Sequence, residues 1–332
     1  MRAGSPRDTD LGTAPVAGTL ASGRRRGKPL SGGLRAATLS AVTDPTAERA
    51  AIFLHAADRS AWSLAALSLT FGGGGSADLR QAAEAIVRVL DLLPIPEPGP
   101  SRSVSGQAAA TLLQTAALLQ GGLDTWAGQT DDALLAQGRA SAQGASLFAR
   151  FAAPGLPGLT DALSRPGARM LDVGTGVAAM AVAYAELWPE LTVVGLDVLP
   201  RALRLAAQTV ARSAVADRVV LREQDVATLD EPPTYSLAWL PAPFVPEPAV
   251  RSGIEAISRA VLPGGWVMVG HGKFTGQPVD DAITRFKTIA YGGTALDDDE
   301  AGRLLRNAGF GEVRTLPTPP GTPGITVGRR PG

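Results

Sequence analysis

The sequence predicts an α/β fold in which a seven-stranded sheet, mostly parallel with an antiparallel last strand, follows an all-helical N-terminal domain. Two observations predict it. After Pro166, short apolar runs alternate with helix patterns, which is typical of a parallel sheet with crossover helices. Before Pro154, apolar residues recur at helical spacing and no segment favours a strand. A chain of 332 residues is long enough for two domains.

We expect three segments along the chain. Residues 1–40 mix Gly, Ser, Thr, Pro and Arg with little apolar periodicity, so they are predicted to be a disordered leader. Residues 41–155 are predicted to form the helical domain, and residues 156–332 the α/β domain. The basic run Arg24–Lys28 could bind a polyanion, but a solvated tail is the simpler interpretation.

Four helices are predicted in the helical domain, because apolar residues recur there every three or four positions. The first begins near Thr46, and the others cover Leu79–Leu93, Ser105–Leu119 and Asp131–Phe151. The glycine run Gly72–Gly75 separates the first two. No strand precedes it and no Gly-Lys-Ser/Thr ending follows, so we expect a turn and not a phosphate-binding loop.

Seven strands are predicted in the α/β domain. Five apolar runs alternate with helix patterns, and two short runs at the end are joined by a turn rich in Pro and Gly, so these two are expected to be antiparallel to each other. The predicted strands are Arg169–Val173, Leu191–Leu196, Val219–Arg222, Ser236–Leu240, Trp266–Gly270, Glu312–Thr315 and Ile325–Val327. Their helices are Val177–Leu187, Pro200–Ser213, Val250–Val261, Asp280–Ile289 and Asp298–Ala308.

The composition argues against several kinds of function. With 31 basic and 31 acidic residues the net charge is zero, so no global field draws the chain to nucleic acid or to a membrane surface. The chain has no cysteine, which excludes disulfides, thiolate zinc sites and cysteine nucleophiles. Its two histidines, His55 and His271, are too few for a site with three His ligands, and no metal is expected.

The chain shows no feature that points to a membrane. No run approaches the roughly 20 apolar residues that a membrane span needs. The first residues carry arginines without the apolar core of a secretory signal. A cytoplasmic location is therefore expected.

A glycine turn, Gly174–Gly176, follows the first predicted strand. Ligands of such sheets bind beyond the carboxyl ends of the strands, and glycine lets a ligand approach the backbone closely. Residues 174–179 also fit the dinucleotide pattern G-x-G-x-x-G/A, and Asp197 lies where a ribose-binding acid is expected. NAD is therefore one candidate ligand.

Three features favour a different ligand. Asp172 lies two residues before the first glycine, where it would repel a pyrophosphate but attract an ammonium group. A second acid, Asp225, follows the third predicted strand. The last predicted elements are two helices and a strand pair. An NAD-dependent dehydrogenase would instead need a separate catalytic domain.

The segments Leu171–Gly176, Gly195–Asp197, Gln224–Val226 and Leu262–Gly265 resemble, in order and spacing, the motifs of class I S-adenosyl-L-methionine (SAM)-dependent methyltransferases. The resemblance covers residues 165–330, about half of the chain. It implies a Rossmann-like fold, SAM as the cofactor and methyltransferase activity. One departure is Ala178, which stands where the family commonly has a third glycine.

The resemblance also implies roles for individual residues. The acid before the glycine turn and the turn itself would face the methionine part of SAM, the acid after the second strand would accept both ribose hydroxyls, and the acid after the third strand would hold the adenine amino group. The candidate cofactor-binding residues are Asp172, Gly174, Thr175, Gly176, Asp197, Val198, Asp225, Val226 and Trp239. In the alternative interpretation, the acids at 197 and 225 only cap the helices that follow them.

The layout of a helical domain before the α/β domain resembles the small-molecule O-methyltransferases, whose N-terminal part dimerises and covers the site. This implies a small-molecule substrate and a homodimer, with no nucleic acid or membrane partner. In that family a catalytic His follows the fourth strand, but here Leu240–Phe244 contains none. His271, after the fifth strand, is the remaining candidate for a catalytic base, with a structural histidine as the alternative. Trp239, Phe244 and Tyr291 would wall an aromatic pocket or belong to the core.

Other functions stay open at this point. The methylated atom could be O, N or C. A methyltransferase of proteins or nucleic acids is a second possibility, although the Asn/Asp-Pro-Pro-Tyr/Phe motif of many base and amine methylases is absent. A non-catalytic binding protein that keeps the fold is a third.

Overall fold

The computed structural model describes residues 45–73, 75–91, 99–119, 126–318 and 322–332. The predicted disordered leader, residues 1–40, lies outside the described residues. Contacts divide the chain into two units, residues 1–50 and residues 51–332. All contacts considered below lie within the second unit. The predicted domain boundary near residue 155 falls inside that unit and stays a prediction.

The described residues contain ten helices. They are α1 (Pro45–Gly72), α2 (Ala77–Val89), α3 (Gly99–Leu119), α4 (Asp131–Leu147), α5 (Leu159–Leu163), α6 (Ala179–Leu187), α7 (Pro200–Ala211), α8 (Glu247–Ala260), α9 (Pro278–Ala290) and α10 (Asp298–Asn307). Short α5 was not predicted. Helix α4 continues into a π-helical turn at Phe148–Ala152. The predicted helix Asp131–Phe151 is therefore continuous, and only its hydrogen-bond pattern changes at Phe148.

The predicted mixed sheet of seven strands is confirmed. The strands are β1 (Arg169–Val173), β2 (Thr192–Asp197), β3 (Val219–Glu223), β4 (Tyr235–Pro241), β5 (Val261–His271), β6 (Gly311–Leu316) and β7 (Gly324–Arg329). They lie in the order β3-β2-β1-β4-β5-β7-β6. Strand β7 is antiparallel to both of its neighbours, as the Pro/Gly-rich turn before it predicts, and the other pairs are parallel.

Alternate residues of the central strands supply the two faces of the core. In β1, Met170 packs with residues of α5, α6 and α7, while Leu171 packs with residues of α8 and α10. Both side chains are fully buried. A sheet covered on both sides is expected to have such continuous apolar strands. The chain crosses from β1 to β2 on one side and to β4 on the other, so a crevice opens beyond the carboxyl end of β1.

Helix α4 packs closely on the start of α6. A methyl group added at Gly138 of α4 would lie 2.2 Å from Cγ2 of Val177, so this contact requires glycine. Asp131, in the first turn of α4, forms ion pairs with Arg201 at 2.5 Å and with Arg204 at 3.2 Å, both in α7. Helix α4 therefore contacts the start of α6, which follows β1, and also α7, which follows β2. Among the described helices, none combines the length and the apolar content needed to cross a membrane.

Candidate functional site

The turn after β1 has an unusual backbone. Gly174, Gly176 and Ala178 have φ angles of 63°, 56° and 59°, in the left-handed region that glycine adopts freely. Ala178 is buried and is the residue before the first turn of α6. An L side chain in this conformation costs about 1–2 kcal/mol. Ala178, which stands where the family commonly has a third glycine, thus adopts the same left-handed conformation as Gly174 and Gly176, with strain.

Thr175 fixes this turn against the second strand. Its N–H donates to Leu196 O at 2.9 Å, and its hydroxyl donates to Asp172 Oδ2 at 2.7 Å. A methyl group on Gly195 of β2 would lie 2.7 Å from Thr175 Oγ1. Because Thr175 covers this point of β2, only glycine fits there.

Asp197 joins the turns that follow β1 and β2. Its Oδ2 accepts the N–H of Gly176 at 2.8 Å, and its Oδ1 accepts the N–H of Leu199 at 2.9 Å. The side chain is buried; this burial raises its pKa, while the amide hydrogen bonds oppose the rise. Each carboxylate oxygen keeps a second lone pair. Asp197 is therefore more than a helix cap, and it can accept two hydroxyl groups of a ligand.

Asp172 is a buried acid with an unused oxygen. Burial raises its pKa to about 7, and the charge of Asp197 adds to this, while the hydrogen bond from Thr175 lowers it. Its Oδ1 has no hydrogen-bond partner among the described residues. A buried carboxylate oxygen without a partner is unfavourable, and a cationic ligand group would satisfy it. The residues present therefore fit the ammonium group of SAM.

The residues after β3 have mixed placements. Asp225 is exposed, and its Oδ1 accepts the N–H of Ala227 at 2.9 Å, so it does cap the turn Val226–Thr228. Val226 is buried in the core, where a methyl group on Gly253 of α8 would lie 2.6 Å from its Cγ1. The Val226 side chain therefore packs against α8. Val198, in contrast, is 57% exposed beside Asp197, and offers an apolar surface to a flat ring.

Trp239 lies on β4 beside Asp172 in the strand register. Its ring rests on β5, where a methyl group on Gly270 would lie 2.5 Å from Trp239 Cη2. The ring also packs against the core cluster that contains Met170. Its predicted contact with the cofactor stays a prediction.

His271 is enclosed between β5 and β7. It is 0% exposed, its Nδ1 lies 2.9 Å from Gly272 O, and its Nε2 lies 2.9 Å from Thr326 Oγ1. A methyl group on Gly324, its cross-strand neighbour, would lie 2.3 Å from Cε1. A general base needs a nitrogen that reaches the substrate, and both nitrogens are engaged here. This geometry supports the structural alternative for His271.

Three aromatic side chains, which we call the aromatic trio, meet beside the crevice. Trp126 stacks on Tyr291 with ring centroids 5.1 Å apart, and Phe244 meets both edge-on at 5.1 and 5.2 Å. Phe244 belongs to the turn after β4. That turn adjoins the glycine turn, because a methyl group on Gly174 would lie 3.7 Å from Pro241 Cγ. Trp126 also packs against a cluster that contains Val177, the residue that follows the glycine turn.

A chain of neutral hydrogen bonds extends from the trio into the helical segment. The Tyr291 hydroxyl donates to Gln114 Oε1 at 2.7 Å, Gln114 Nε2 donates to Gln137 Oε1 at 3.0 Å, and Gln137 Nε2 donates to Ser141 Oγ at 3.1 Å. From the sequence, Trp239, Phe244 and Tyr291 were expected to wall a pocket or to belong to the core, and Trp126 and Gln114 were not expected here. No local signal marks these two, because the contacts join segments that are far apart in the chain. Among the described residues, no group of three acidic or His side chains could hold a metal ion.

Residues 170–265 match a family described as a methyltransferase domain. Two curated relatives, both release factor glutamine methyltransferases, are each similar to part of the chain. The protein from Rhodopirellula baltica is 34% identical over 82 residues, covering 24% of this chain and 28% of its own length. The protein from Vibrio cholerae is 25% identical over 158 residues, covering 40% and 54%. The chain thus spans about half or less of these relatives.

Solved structures resemble a larger part of the chain. An O-methyltransferase family protein from Burkholderia thailandensis has a TM-score of 0.57 at 15% identity, covering 87% of this chain and 99% of that one. Human N-acetylserotonin methyltransferase, in complex with SAM, has a TM-score of 0.55 at 14% identity, covering 88% and 99%. At such low identity these likenesses concern the fold.

The domain match and the fold agree with the geometry of the glycine turn. Residues 170–265 match a methyltransferase domain, and the chain has the class I SAM-dependent methyltransferase fold. In the described residues, a helical region precedes the α/β region, and the solved structures match across 87% and 88% of the chain.

Proposed function

We propose that the protein is a SAM-dependent methyltransferase that transfers a methyl group to a small molecule. The observation that carries the proposal is the pair of buried acids at the glycine turn. Asp197 presents two carboxylate oxygens held by backbone amides, and Asp172 has an oxygen without a partner among the described residues. This set suits a ligand that combines a ribose with an ammonium group.

The chain's own residues would hold the cofactor as follows. Asp172 binds the ammonium group, Gly174 and Gly176 let the methionine part approach the backbone, Asp197 accepts the ribose hydroxyls, and Val198 packs on the adenine ring. Asp225 keeps its predicted contact with the adenine amino group through the carboxylate oxygen that does not cap the following turn. When bound, SAM supplies an electrophilic sulfonium methyl group.

The acceptor would lie on the aromatic trio, one member of which, Trp126, packs against a cluster that contains Val177, the residue after the glycine turn. The human N-acetylserotonin enzyme, with which the chain shares its fold, is named for a small aromatic substrate. Positioning an acceptor in line with the methyl group supplies much of the rate of such a reaction. We assign no general base, since His271 is enclosed by hydrogen bonds.

Isothermal titration tests the proposal directly. We expect SAM and S-adenosylhomocysteine to bind and NADH not to bind, because Asp172 would face the pyrophosphate of a dinucleotide. Binding of NADH without binding of SAM would refute the proposal. A protein that binds SAM but methylates nothing in extracts of its source would favour the non-catalytic alternative.

A second candidate is methylation of a protein, which the names of the two curated relatives favour. Against it, Leu240 stands where the Asn or Asp of the amine-methylase motif would be, so the turn after β4 offers no side chain to hold an amide. Incubation of an extract with methyl-labelled SAM separates the two. Label in the small-molecule fraction supports the proposal, and label confined to precipitated protein supports the second candidate.

We further propose a homodimer in the cytoplasm, with the domain boundary near residue 155. Large apolar side chains stay exposed on α1 and α9, among them Phe53 and Ile289, each 69% exposed. A second copy of the chain would cover them. The lack of cysteine is compatible with a reducing compartment. Cell fractionation tests the location, and expression of residues 156–332 alone tests the boundary.

A further inference from the structure

A cavity opens at the end of the sheet opposite the glycine turn. Its lining includes residues near the start of β4 and β5 and the residue before β1, and α5 lies along one side. Its volume is about 360 Å³, within the range of about 300–1,000 Å³ that is typical of pockets for small ligands. The five residues of β1 separate it from the glycine turn by roughly 15 Å. It is therefore a different site from the proposed cofactor site.

The charge on the wall of this cavity is positive. Its charged lining residues are Arg165 and Arg329, and none of its described lining residues is acidic. Arg165 is exposed and forms no ion pair among the described residues. Arg329 is paired with Glu312 at 2.9 Å, but Glu312 lies outside the lining. A cleft lined by charges of one sign concentrates ions of the opposite sign, so the cavity suits an anionic group.

Arg329 is fixed in place with one nitrogen left over. Its Nε donates to Gly264 O at 3.1 Å and its Nη1 donates to Glu312 Oε1 at 2.9 Å. Its Cζ lies 5.7 Å from the centroid of the Trp266 ring. A methyl group on Gly264 would lie 3.7 Å from Nη2, so this third nitrogen adjoins a residue that lines the cavity. Because the guanidinium is already held, little freedom is lost when Nη2 donates to an anion.

The rest of the wall suits an apolar body. Ala162, Pro166 and Leu262 line the cavity and are at least partly exposed, so a ligand would cover apolar surface there. Ser236 also lines it, and its hydroxyl forms no hydrogen bond among the described residues. Gly167 leaves the cavity open, since a methyl group added to it would meet nothing within 4 Å.

We infer that this cavity binds a small organic acid, with its anionic group on Arg165 and Nη2 of Arg329 and its apolar part against α5 and the start of β5. The inference does not rest on the proposed function, because the cavity lies at the other end of the sheet from the glycine turn. A neutral aromatic molecule and a bare anion are the alternatives, and the test separates them.

Three probes, compared by isothermal titration, test the inference. 2-Naphthoate combines a ring with a carboxylate, 2-naphthamide keeps the shape without the charge, and acetate keeps the charge without the ring. The Kd of 2-naphthoate should be roughly fivefold lower than that of 2-naphthamide, as expected for an ion pair at a partly exposed site. Acetate should bind more weakly than 2-naphthoate. Saturating S-adenosylhomocysteine should leave the Kd of 2-naphthoate unchanged, because the two sites are separate.

Three variants locate the binding. Arg165→Gln should narrow the preference for 2-naphthoate over 2-naphthamide, because it removes the unpaired guanidinium. Ala162→Phe should weaken both naphthalene probes, because its ring would occupy the cavity. Arg212→Gln, at an exposed position after α7, removes the same charge elsewhere and should change neither Kd. The three positions are exposed or partly exposed, so the variants should fold, and their Tm values check this.

The inference fails if 2-naphthamide binds as tightly as 2-naphthoate, if acetate binds as tightly as 2-naphthoate, or if no probe binds. It also fails if Arg165→Gln keeps the full preference, if Ala162→Phe leaves both Kd values unchanged, or if Arg212→Gln has the same effect as Arg165→Gln. Displacement of 2-naphthoate by S-adenosylhomocysteine would place the probe in the crevice at the glycine turn and would likewise refute the inference.

Discussion

At the scale of single residues, Asp197 holds two turns in place through backbone amides. In Asp197→Asn, one of these amides faces an NH₂ group in place of an oxygen. We expect the free energy of unfolding to fall by about 1–3 kcal/mol and the Kd for SAM to rise at least tenfold. Calorimetry and titration measure the two effects. Asp217→Asn, an exposed acid just before β3, is the control, and an unchanged Kd in Asp197→Asn would contradict the ribose assignment.

The raised pKa of Asp172, about 7, makes stability depend on pH. Between the unfolded pKa of about 3.9 and the folded value, the folded state binds a proton that the unfolded state does not. Stability is therefore expected to decrease as the pH rises from about 4 to about 7. Asp172→Asn should remove this slope and raise the Tm above pH 7. Tm values measured across that range check it, and parallel profiles in both proteins would contradict it.

The same acid should couple SAM binding to proton release. An ammonium group favours the ionised carboxylate, so binding near pH 6 should release a proton. Titrations in two buffers of different ionisation enthalpy detect this release. Asp172→Asn serves as the control in which it should vanish.

The sequence indicates which residues of the proposed cofactor side come together more directly than it does for the proposed acceptor side. Asp172, Thr175 and Asp197 lie at or just after the carboxyl ends of two neighbouring parallel strands, and sheet geometry alone brings such positions together. The direction of the Val226 side chain, in contrast, depends on its packing against α8. Trp126 and Gln114 reach Tyr291 only through tertiary contacts, which no local pattern reveals.

At the scale of elements, the packing of α4 on α6 positions the glycine turn. Gly138→Ala should place a methyl group 2.2 Å from Val177 Cγ2, so we expect a loss of stability of about 1–3 kcal/mol and weaker SAM binding. Gly144→Ala lies on the same helix with its nearest neighbour, Met180 Sδ, at 3.8 Å. It should stabilise the protein by about 0.5–1 kcal/mol. Thermal unfolding measures both.

A second substitution separates this clash from a general effect on α4. Val177→Ala removes the methyl group that Gly138→Ala would meet. The double variant should therefore be more stable than Gly138→Ala alone. If the two effects are simply additive, α4 does not act on the turn through this contact.

The pairing of β5 with β7 depends on His271. His271→Ala would leave Thr326 without one of its partners in a buried place, and we expect unfolding to become easier by about 1–3 kcal/mol. Turnover per folded molecule should fall less than tenfold, since a lost acid–base group typically costs about 10²–10⁴. Thr326→Val should reproduce the stability loss. A large fall in turnover in His271→Ala alone would support the catalytic prediction for His271.

The order of strands and helices was predictable because each central strand is a continuous apolar run, buried on both faces. The antiparallel pairing of β7 with β6 followed from the short turn between them. Helix α5 was missed, because five residues, Leu159–Leu163, are too few to show a helical period.

At the scale of the whole molecule, the helical region contributes to the site as well as to the shape of the chain. Gln114 and Trp126 come from this region, and their partners Tyr291 and Phe244 come from the α/β region. The acceptor side that we propose therefore combines residues of both regions. With zero net charge, long-range attraction contributes little to the capture of a substrate, so recognition depends on these short-range contacts.

The exposed apolar stripe of α9 predicts self-association. Val279, Ile283, Phe286 and Ile289 are 70%, 46%, 58% and 69% exposed and recur at intervals of three or four residues. A contiguous apolar stripe on a soluble protein is typical of an interface. Light scattering at micromolar concentration should therefore give twice the mass of one chain. Ile289→Glu should shift the protein to monomers, because an unpaired charge is costly at an apolar contact. Leu262→Glu, at a partly exposed position near the start of β5, should leave the dimer intact, and a monomeric unaltered protein would refute the homodimer.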